Sequence, residues 1–524
     1  MRKNCLLYIV LLAILLAPLT ADAQQSMADY TCYPIFTANA VKPNILILLD
    51  NSGNMNLMAF GYDANGYYHS DGFDPAETYT GYFNPTARYS YAGEFDMDPA
   101  GSWDGNFLNW MTMRRVDIMR KVLVGGLATS RTGGGNTKLY GEVPPLTQKQ
   151  HKYFKIYSAS GSHTPFSDDH VFKISGGNIE VYSIDTPANF DYGLDYKMYC
   201  NPYDGHDALY EDVAFYYDGA VNKDGEPYTV YPRLPMEPSG ACDYTKYDIL
   251  SPLTTLTFVD EFLIKVDKEV AEEPEVFDED GNIAGVIQRI NDKARFGLEY
   301  FNKNGEAFEL GKNQDSGVVG SAIGGNLVDV ITRIENESCE SWTPLAEAFY
   351  TGARYYRQDP VKFYSQMFYS VNQAADPFYY ADLGQFVDCG TNFILIVTSG
   401  EPTMDTNLPA TLPGDAGALP LDVDGDGDVM GGALDNYSSG YLDDLALWAN
   451  TNDMRADIDG FNNILTYTVF AFGHDSQLLK DTAKNGGFID KNGNKRPDAV
   501  QEWDENGDGL PDTYFEATKG NELE

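Results

Sequence analysis

The sequence predicts an α/β protein built on a doubly wound, mostly parallel sheet. Residues Ile45–Leu49 form an uninterrupted apolar run, which is the pattern of a strand buried on both faces. A second run of this kind lies at Asn392–Val397. From Ile287 onward, strand-like and helix-like segments alternate, as is typical of helices that cover both faces of a parallel sheet.

The first helix is predicted at Thr112–Gly126, where Gly125 and Gly126 supply the C-terminal signal. Apolar residues recur there at helical spacing and charged residues lie opposite them. The apolar face carries Val116, Met119, Val122 and Leu123, and the predicted solvent face carries Arg114, Arg115, Asp117 and Lys121.

The later elements complete the alternation. Strands are predicted at Ala294–Phe301 and Leu465–Phe472, and helices at Asn326–Ile334 and Ser476–Asn485. One further helix starts near Thr343, which we expect to be its N-cap, with Pro344 as its first residue.

Two inserts interrupt this pattern. The first, Met55–Gly105, is rich in tyrosine and turn formers, and its aromatics either form a recognition surface or pack onto their own domain. The second is a mainly β subdomain, predicted from short β-like runs at Tyr153–Ser158, Val171–Ile174, Ile179–Ser183 and Tyr228–Tyr231. The predicted organisation is a signal peptide (1–23), an N-terminal segment (24–43), the first strand and helix with the Tyr-rich insert (44–128), the β-rich subdomain (129–268), and the rest of the sheet with calcium-binding loops (269–524).

The N-terminus predicts export. Arg2 and Lys3 precede the apolar stretch Cys5–Ala17, and Ala21–Ala23 fits a small-residue cleavage site. No segment reaches transmembrane length, so we expect no direct membrane insertion. A formal net charge of −42 argues against nucleic acid and anionic membranes as partners and suits a calcium-rich exterior, although solubility alone would also explain it.

Five cysteines follow the predicted signal peptide. Disulfides are the default in an exported protein, and sequence proximity favours Cys200 with Cys242 and Cys339 with Cys389. Cys32 is then left over, for a bridge to another chain or to a segment outside this sequence.

The first strand ends in an oxygen-rich turn. Asp50, Ser52 and Asn54 follow it at the carboxyl end of the predicted sheet, where open α/β folds bind ligands. This turn resembles the metal-ion-dependent adhesion site (MIDAS) of von Willebrand factor A domains. The resemblance adds Thr343 from a second loop and Ser399 from a third.

The third loop departs from that family pattern, because Ser399 stands where the family has aspartate. Losing a carboxylate lowers the expected Mg²⁺ affinity. A weak Mg²⁺ site and a turn that keeps the fold without an ion both stay open.

Calcium signals are stronger near the C-terminus. Carboxylates recur at every second residue with glycines between them, as at the start of an EF-hand loop, at Asp422, Asp424, Asp426 and Asp428. The twelfth position lacks the usual glutamate, so Asp435, Asp443 or Asp444 would have to close the ligand shell.

An internal repeat follows this loop. Asp490, Asn492, Asn494 and Asp498 recur at the same spacing as Asp504, Asn506, Asp508 and Asp512. The repeat resembles thrombospondin type 3 calcium repeats, which predicts further Ca²⁺ sites, while a solvated acidic loop is the alternative. Asp278–Asn282 is a weaker candidate that fits a turn better.

No enzymatic function is expected. The chain lacks GxSxG, HExxH and P-loop motifs, and its six histidines provide few candidate bases. His474 fits a loop histidine, and Cys389 fits a disulfide better than a nucleophile.

Seven motifs follow one another along the chain: Asn44–Met55, Gly105–Asp117, Thr343–Ala348, Asn392–Pro402, Tyr441–Ala446, Asp453–Arg455 and Asn485–Gly487. Together and in this order they resemble the N-terminal region of the PilC/PilY family, the type IV pilus tip-associated adhesins and biogenesis factors. The resemblance implies a pilus-tip protein that associates with minor pilins and promotes pilus assembly and surface attachment. The family's C-terminal β-propeller has no counterpart in this sequence, so we expect a fragment, a split gene product or a reduced paralogue.

Two functions from different classes follow. The first is a pilus-tip binding module that contacts a surface ligand or minor pilins through an A-like domain stabilised by Ca²⁺. The second is a calcium-stabilised structural protein of the envelope or the exterior, without a pilus role.

Overall fold

The structure is a computed structural model. It describes residues 41–60, 73–131, 137–145, 152–157, 162–167, 170–184, 199–200, 234–235, 256–302, 316–360, 362–363, 366–388, 390–428, 438–473, 475–517 and 520–523. The predicted signal peptide, Cys32, Cys242, Cys389, His474 and the run Tyr228–Tyr231 lie outside these residues.

A six-stranded sheet organises the α/β part of the chain. Its strands are β1 (Asn44–Leu49), β2 (Arg295–Phe301), β3 (Gly317–Ser321), β4 (Asn392–Thr398), β5 (Ile464–Ala471) and β6 (Tyr514–Ala517). They lie in the order β3-β2-β1-β4-β5-β6, and every neighbouring pair is parallel except β2 with β3. This is a doubly wound order, whose switch point between β1 and β4 is the usual place for a ligand.

Strand β1 is the centre of the sheet, as its apolar run predicts. Asn44 is aligned with Arg295 on β2 and with Asn392 on β4. Leu46 and Leu48 join the core on one face of the sheet, and Ile47 and Leu49 join the core on the other. A strand buried on both faces has no polar alternation, which explains the uninterrupted pattern.

Helices cover both faces of the sheet. In chain order the helices are α1 (Gly105–Thr112), α2 (Arg115–Val124), α3 (Leu327–Asn336), α4 (Leu345–Arg357), α5 (Leu442–Thr451) and α6 (Gln477–Gly487), with short helices at Val286–Arg289 and Gly520–Leu523. Of these, α1 packs into a separate core formed by the inserts. Single 3-10 turns lie at Gly53–Asn56, Pro274–Val276, Gln373–Ala375 and Val500–Glu502. Helices α4, α5 and α6 contribute to the core that contains Leu46, and α2 and α3 contribute to the core that contains Ile47.

The two inserts pack around one shared core. A five-stranded mixed sheet has the order Trp103–Asp104, Arg88–Tyr91, Phe95–Met97, Lys265–Lys268, Thr137–Tyr140. A four-stranded antiparallel sheet has the order Leu256–Leu263, Asn178–Ile184, His170–Ser175, Lys152–Tyr157. Two-stranded pairs join Tyr199–Cys200 to Leu234–Pro235, Lys362–Phe363 to Gln366–Met367, Tyr379–Tyr380 to Gln385–Phe386, and Thr411–Gly414 to Gly417–Pro420.

Short strands form within the Tyr-rich insert, at Arg88–Tyr91 and Phe95–Met97. Tyr82 and Tyr89 of the insert are buried in the same core as Phe172 and Phe262 of the β-rich segment. Tyr89 packs edge-on against the ring of Phe83, and tyrosines buried in this way do not form a recognition surface.

The prediction of one helix at Thr112–Gly126 was wrong at its start and on its outer face. Two helices meet there, and Arg115, Asp117 and Arg120 are buried because both sides of α2 are covered. The Arg120 guanidinium donates to Ile334 O at 3.0 Å and to Glu337 O at 2.9 Å, and it pairs with Glu142. Asp117 Oδ1 accepts the backbone N–H of Glu142 at 2.9 Å. Gly125, with a φ of 88°, ends the helix as predicted.

Cys339 is buried in the core beneath α3. Its predicted bridge to Cys389, and that of Cys200 to Cys242, stay predictions because each pair includes a residue outside the described part. Within the parts of the chain that the structure describes, no helix has both the length and the apolar content that crossing a bilayer would require.

Candidate metal centre

The turn after β1 is closed by hydrogen bonds. Asp50 Oδ1 accepts the N–H of Ser52 at 2.7 Å, which forms an Asx turn. Asp50 Oδ2 accepts the N–H of Ser399 at 2.7 Å, the Ser399 hydroxyl at 2.9 Å and the Thr398 hydroxyl at 3.2 Å. The structure therefore brings Asp50 and Ser399 together at the switch point of the sheet.

This arrangement compensates the Asp50 charge with protein donors. The hydroxyl of Ser399 points its hydrogen at Asp50, whereas a metal site needs that oxygen's lone pair turned toward the ion. The buried Ser52 Oγ has no hydrogen-bond partner among the described residues, and Asn54 lies beside Gly400. The geometry thus fits the hydrogen-bonded turn better than a Mg²⁺ site.

The second loop lies beside the third, but Thr343 is not the N-cap of α4. The helix begins at Leu345, and Asp405 from the loop after β4 accepts the N–H groups of Ala346 and Glu347 at 2.8 and 2.9 Å. The backbone N–H of Thr343 donates to Thr403 Oγ1 at 3.2 Å instead. Asp405 lies 59 and 58 positions from the two residues that it caps, so the local Thr-Pro signal placed the cap at the wrong residue.

The loop Asp422–Asp428 forms a chain of Asx turns. Asp422 Oδ1 accepts the N–H of Gly425 at 2.7 Å, Asp424 Oδ1 accepts that of Asp426 at 3.1 Å, and Asp426 Oδ1 accepts that of Asp428 at 3.2 Å. Gly425 and Gly427 have φ values of 82° and 97°, which L-residues rarely adopt. This backbone points alternate carboxylates inward, as in the first half of an EF-hand loop.

The first turn of α5 supplies two more carboxylates to this loop. Asp444 Oδ1 accepts the N–H groups of Val423 and Asp424 at 2.6 and 3.0 Å. Asp443 and Asp444 are 3% and 0% exposed, and within the described structure Asp443 Oδ1 and Asp444 Oδ2 accept no hydrogen bond. Of the three residues proposed to close the shell, the structure brings in these two, and Asp435 lies outside the described part.

These carboxylates form one cluster, which we call the six-acid cluster: Asp422, Asp424, Asp426, Asp428, Asp443 and Asp444. Its members form three triplets whose oxygens lie within 4.8 Å of one another. Burying unpaired carboxylates is costly, so a cluster of this kind needs protons or cations.

Burial raises the pKa of several of these acids, and neighbouring charges add to its effect. Burial, followed by the charges of Asp444 and Asp428, raises the pKa of Asp443 to about 9. Burial also raises the pKa of Asp444 to about 7 and that of Asp428 to about 6. The pKa of Asp426 is raised for the same reasons. A divalent cation would stabilise the ionised forms of all four.

Sequence reasoning missed two residues at this cluster. The Asn485 amide on α6 donates to Asp424 Oδ2 at 3.0 Å and to Asp443 Oδ2 at 3.2 Å. Gly440 lies against Asp428, where an added Cβ would come within 2.6 Å of both carboxylate oxygens. No spacing rule links these positions to the loop, although Asn485 belongs to one of the family-like motifs.

The two copies of the internal repeat share one geometry. Asp490 Oδ1 accepts the N–H groups three and four residues later at 2.7 and 3.2 Å, and Asp504 Oδ1 does the same at 2.6 and 3.2 Å. The N–H five residues later donates to Oδ2 at 2.9 Å in each copy. Asn494 and Asp508 both accept the N–H two residues later at 2.8 Å.

The repeat loops differ from the six-acid cluster in how their acids are satisfied. Asp498 accepts the amides of Asn492 and Asn494 at 2.8 and 2.7 Å, and Asp512 accepts the N–H of Glu505 at 2.8 Å. Most of their side chains are exposed, although Asp504 is buried. Calcium at these loops stays a prediction. Asp278 closes a turn by accepting the N–H groups of Asp280 and Asn282 at 3.0 and 2.8 Å, as its pattern favoured.

One buried acid lies away from all these loops. Glu299 on β2 is fully buried, and neither carboxylate oxygen has a partner in the described structure. Both oxygens lie close to glycines, Gly317 on β3 and Gly352 on α4. Burial raises its pKa well above the usual range. The sequence around Glu299 gave no indication that this acid would be buried without hydrogen-bond partners in the described structure.

Residues 70–189 match the family model of the PilY1 homolog small alpha/beta domain. This span covers most of the Tyr-rich insert, helices α1 and α2 and the start of the β-rich segment, and it includes the family-like motif Gly105–Asp117. The match supports a relation to the PilY1 family for this part of the chain. No curated protein sequence matches the chain.

Among solved structures, the pilus adhesin SpaC from Lactobacillus rhamnosus GG aligns with 45% of this chain at 11% identity and a TM-score of 0.23. The alignment spans 24% of the SpaC chain, about a quarter of its length. A TM-score this low carries no argument about fold or function.

Proposed function

We propose that this protein is a type IV pilus-associated adhesin or pilus biogenesis factor, exported to the cell surface or pilus tip. In this proposal a von Willebrand factor A-like domain, stabilised by Ca²⁺, binds surfaces or minor pilins. The observation that carries the pilus assignment is the match of residues 70–189 to the PilY1 homolog domain.

The A-like assignment is supported by the sheet. Its strand order places the switch point between β1 and β4, and Asp50 with Ser399 lies there. The calcium assignment is supported by the six-acid cluster, since its buried acids Asp443 and Asp444 keep oxygens without donors. Ca²⁺ prefers a shell of several oxygen ligands, such as these carboxylates, whereas soft metals prefer thiolate ligands.

A deletion strain tests the pilus role. We expect loss of twitching and of surface attachment, because a tip factor is needed for pilus extension, and we expect the intact gene to restore both. Pull-down of minor pilins by the purified chain checks the partner class. Unchanged piliation and attachment in the deletion strain would reject the pilus role.

The alternative is a calcium-stabilised structural protein of the envelope or the exterior. The specific observation in its favour is the Asp50 corner, where the protein's own donors satisfy the carboxylate and leave little reason for a ligand-binding ion. This alternative predicts calcium-dependent stability together with normal pili in the deletion strain.

A further inference from the structure

We propose that the six-acid cluster is a two-ion site, which binds two Ca²⁺ ions bridged by carboxylates from the first turn of α5. This inference deepens the proposed calcium stabilisation and rests on it. The inference concerns the number of ions and the residues that lie between them. The EF-hand-like spacing of the loop by itself predicts neither.

The overlap of the three triplets indicates two positions. Asp422, Asp424 and Asp444 form one triplet, and Asp428, Asp443 and Asp444 form another. Asp422 belongs only to the first of these and Asp428 only to the second, while Asp444 belongs to both. The third triplet joins Asp424 and Asp443 through Asp426, so it lies between the other two. Asp424, Asp443 and Asp444 are each shared by two triplets, and Asp422 and Asp428 mark the two ends, which is the arrangement of a bridged pair of cations.

The second argument is charge balance. Six carboxylates carry a formal charge of −6, and one Ca²⁺ would leave four charges uncompensated in a partly buried place. In the described part of the chain no lysine, arginine or histidine forms an ion pair with any of the six. Lys495 pairs with Asp415 at 3.1 Å, and the Arg496 guanidinium donates to the backbone carbonyl of Asp424 at 2.9 Å. Two divalent ions reduce the local charge to −2, which the Asn485 amide and the helix N-terminus can accommodate.

The third argument is the state of the buried oxygens. Asp443 Oδ1 and Asp444 Oδ2 are buried and accept no described hydrogen bond, and they belong to two of the three residues that the triplets share. One carboxylate oxygen can bridge two cations, so each of these oxygens is able to lie between two ions. Asp444 Oδ1 is held by two backbone N–H groups, which fixes the orientation of its other oxygen. Ca²⁺ tolerates such shared and bidentate carboxylates better than Mg²⁺ does.

Native mass spectrometry of the full chain at saturating Ca²⁺ tests the inference by counting ions. Asp422→Asn and Asp428→Asn should each lower the count by one, and the double variant should lower it by two. Asp415→Asn, at a half-exposed acid outside the cluster, is the matched control and should leave the count unchanged.

The outcomes separate the two proposals. If the double variant loses the same single ion as each single variant, the two-ion inference is overturned and calcium stabilisation stands. If the wild-type chain binds no Ca²⁺, the calcium part of the proposed function fails as well.

A second measurement leaves the cluster unmutated, in case the variants misfold. The variant Asp490→Asn with Asp504→Asn removes the first acid of each repeat loop and leaves the six-acid cluster intact. In this variant Tb³⁺ replaces Ca²⁺, and Nd³⁺ is then added as an acceptor of Tb³⁺ luminescence energy. Two ions that share carboxylates lie about 4 Å apart, so the Tb³⁺ luminescence lifetime should shorten severalfold. An unchanged lifetime at full occupancy overturns the inference.

Discussion

Asp50 accepts hydrogen bonds on both carboxylate oxygens, whereas Asp443 and Asp444 each keep a buried oxygen without a donor in the described structure. Both regions carry acids in oxygen-rich turns, and sequence alone suggests a metal at each. What separates them is the supply of donors by the rest of the fold. Ser399 lies 349 residues from Asp50 in sequence, and its N–H and hydroxyl donate hydrogen bonds that stabilise the Asp50 charge as a bound cation would.

The largest effect on stability should come from removing the Ca²⁺ bound at the six-acid cluster. We expect Ca²⁺ to raise the thermal stability of the wild-type chain by about 3 kcal/mol for each ion at a concentration about a hundredfold above its Kd. Asp443→Asn with Asp444→Asn should abolish most of this gain, and so should Asp424→Ala with Asp508→Ala. Thermal unfolding in Ca²⁺ and in chelator measures the effect.

The same comparison has a built-in control. In chelator, the Asp443→Asn, Asp444→Asn variant should be more stable than the wild type, because it removes two buried carboxylates that each keep one oxygen without a donor in the described structure. Equal unfolding temperatures for the wild type with Ca²⁺ and with chelator would remove the distinction between the two regions.

Glu299 is a third case beside Asp50 and the six-acid cluster. Its carboxylate oxygens lack hydrogen-bond donors in the described structure, and it does not belong to an acidic loop. Its folded-state pKa lies well above its usual range, so above about pH 4.3 the folded chain holds a proton that the unfolded chain releases. Its contribution to stability is therefore largest at low pH and falls as pH rises, by about 1.4 kcal/mol per pH unit until the folded-state pKa is reached.

Glu299→Gln should remove this pH dependence. Denaturant unfolding from pH 5 to pH 8 in saturating Ca²⁺ measures it, with the exposed Glu279→Gln as control. Parallel stability curves for Glu299→Gln and the wild type would mean that the glutamate is paired after all.

Asp405 belongs with Asp50, since protein donors satisfy both of its oxygens. Asp405→Ala should cost about 1–2 kcal/mol, the usual cost of losing a helix cap, because it strands two N–H groups at the buried start of α4. Asp405→Asn should retain part of this stability. Glu401→Ala in the same loop serves as the control, and an equal loss there would argue against a specific cap.

The smallest effect is expected from converting the satisfied corner into an unsatisfied one. Ser399→Asp keeps the backbone N–H bond to Asp50, removes the hydroxyl donor and adds a second carboxylate, so without metal the chain should lose about 1 kcal/mol. Mg²⁺ should restore the loss in this variant and leave the wild type unchanged. Isothermal titration with Mg²⁺ measures the difference, and tight binding by the wild type would contradict the hydrogen-bonded interpretation.

Local pattern was enough for much of the fold. The apolar runs of β1 and β4, the alternation around β5 and the glycine that ends α2 all depend on burial or on backbone conformation at the residue itself. The spacing of the acids in the Asp422 loop and in the repeat also follows from short-range Asx geometry. These features are encoded within a few residues of where they act.

The remainder depends on contacts between distant segments. The strand Phe95–Met97 is placed beside Lys265–Lys268, far along the chain, and no local pattern predicts that pairing. From its local sequence Arg120 would be a surface cation on a helix. Its guanidinium is buried because it binds Ile334, Glu337 and Glu142, which are distant in sequence. Likewise Asp405 caps α4, and Asn485 reaches the six-acid cluster, only because the sheet places their elements side by side.

The position of β1 has a consequence for synthesis. Asn44 begins the strand and donates its amide to Asn392, 348 residues later in the chain. At about 5–20 residues per second, on the order of 20–70 s pass between the appearance of these two residues. During that interval the apolar run Ile45–Leu49 has no partner on its β4 side, and a segment of this kind invites aggregation. The newborn chain therefore depends on something that keeps its first strand from pairing elsewhere until β4 has emerged.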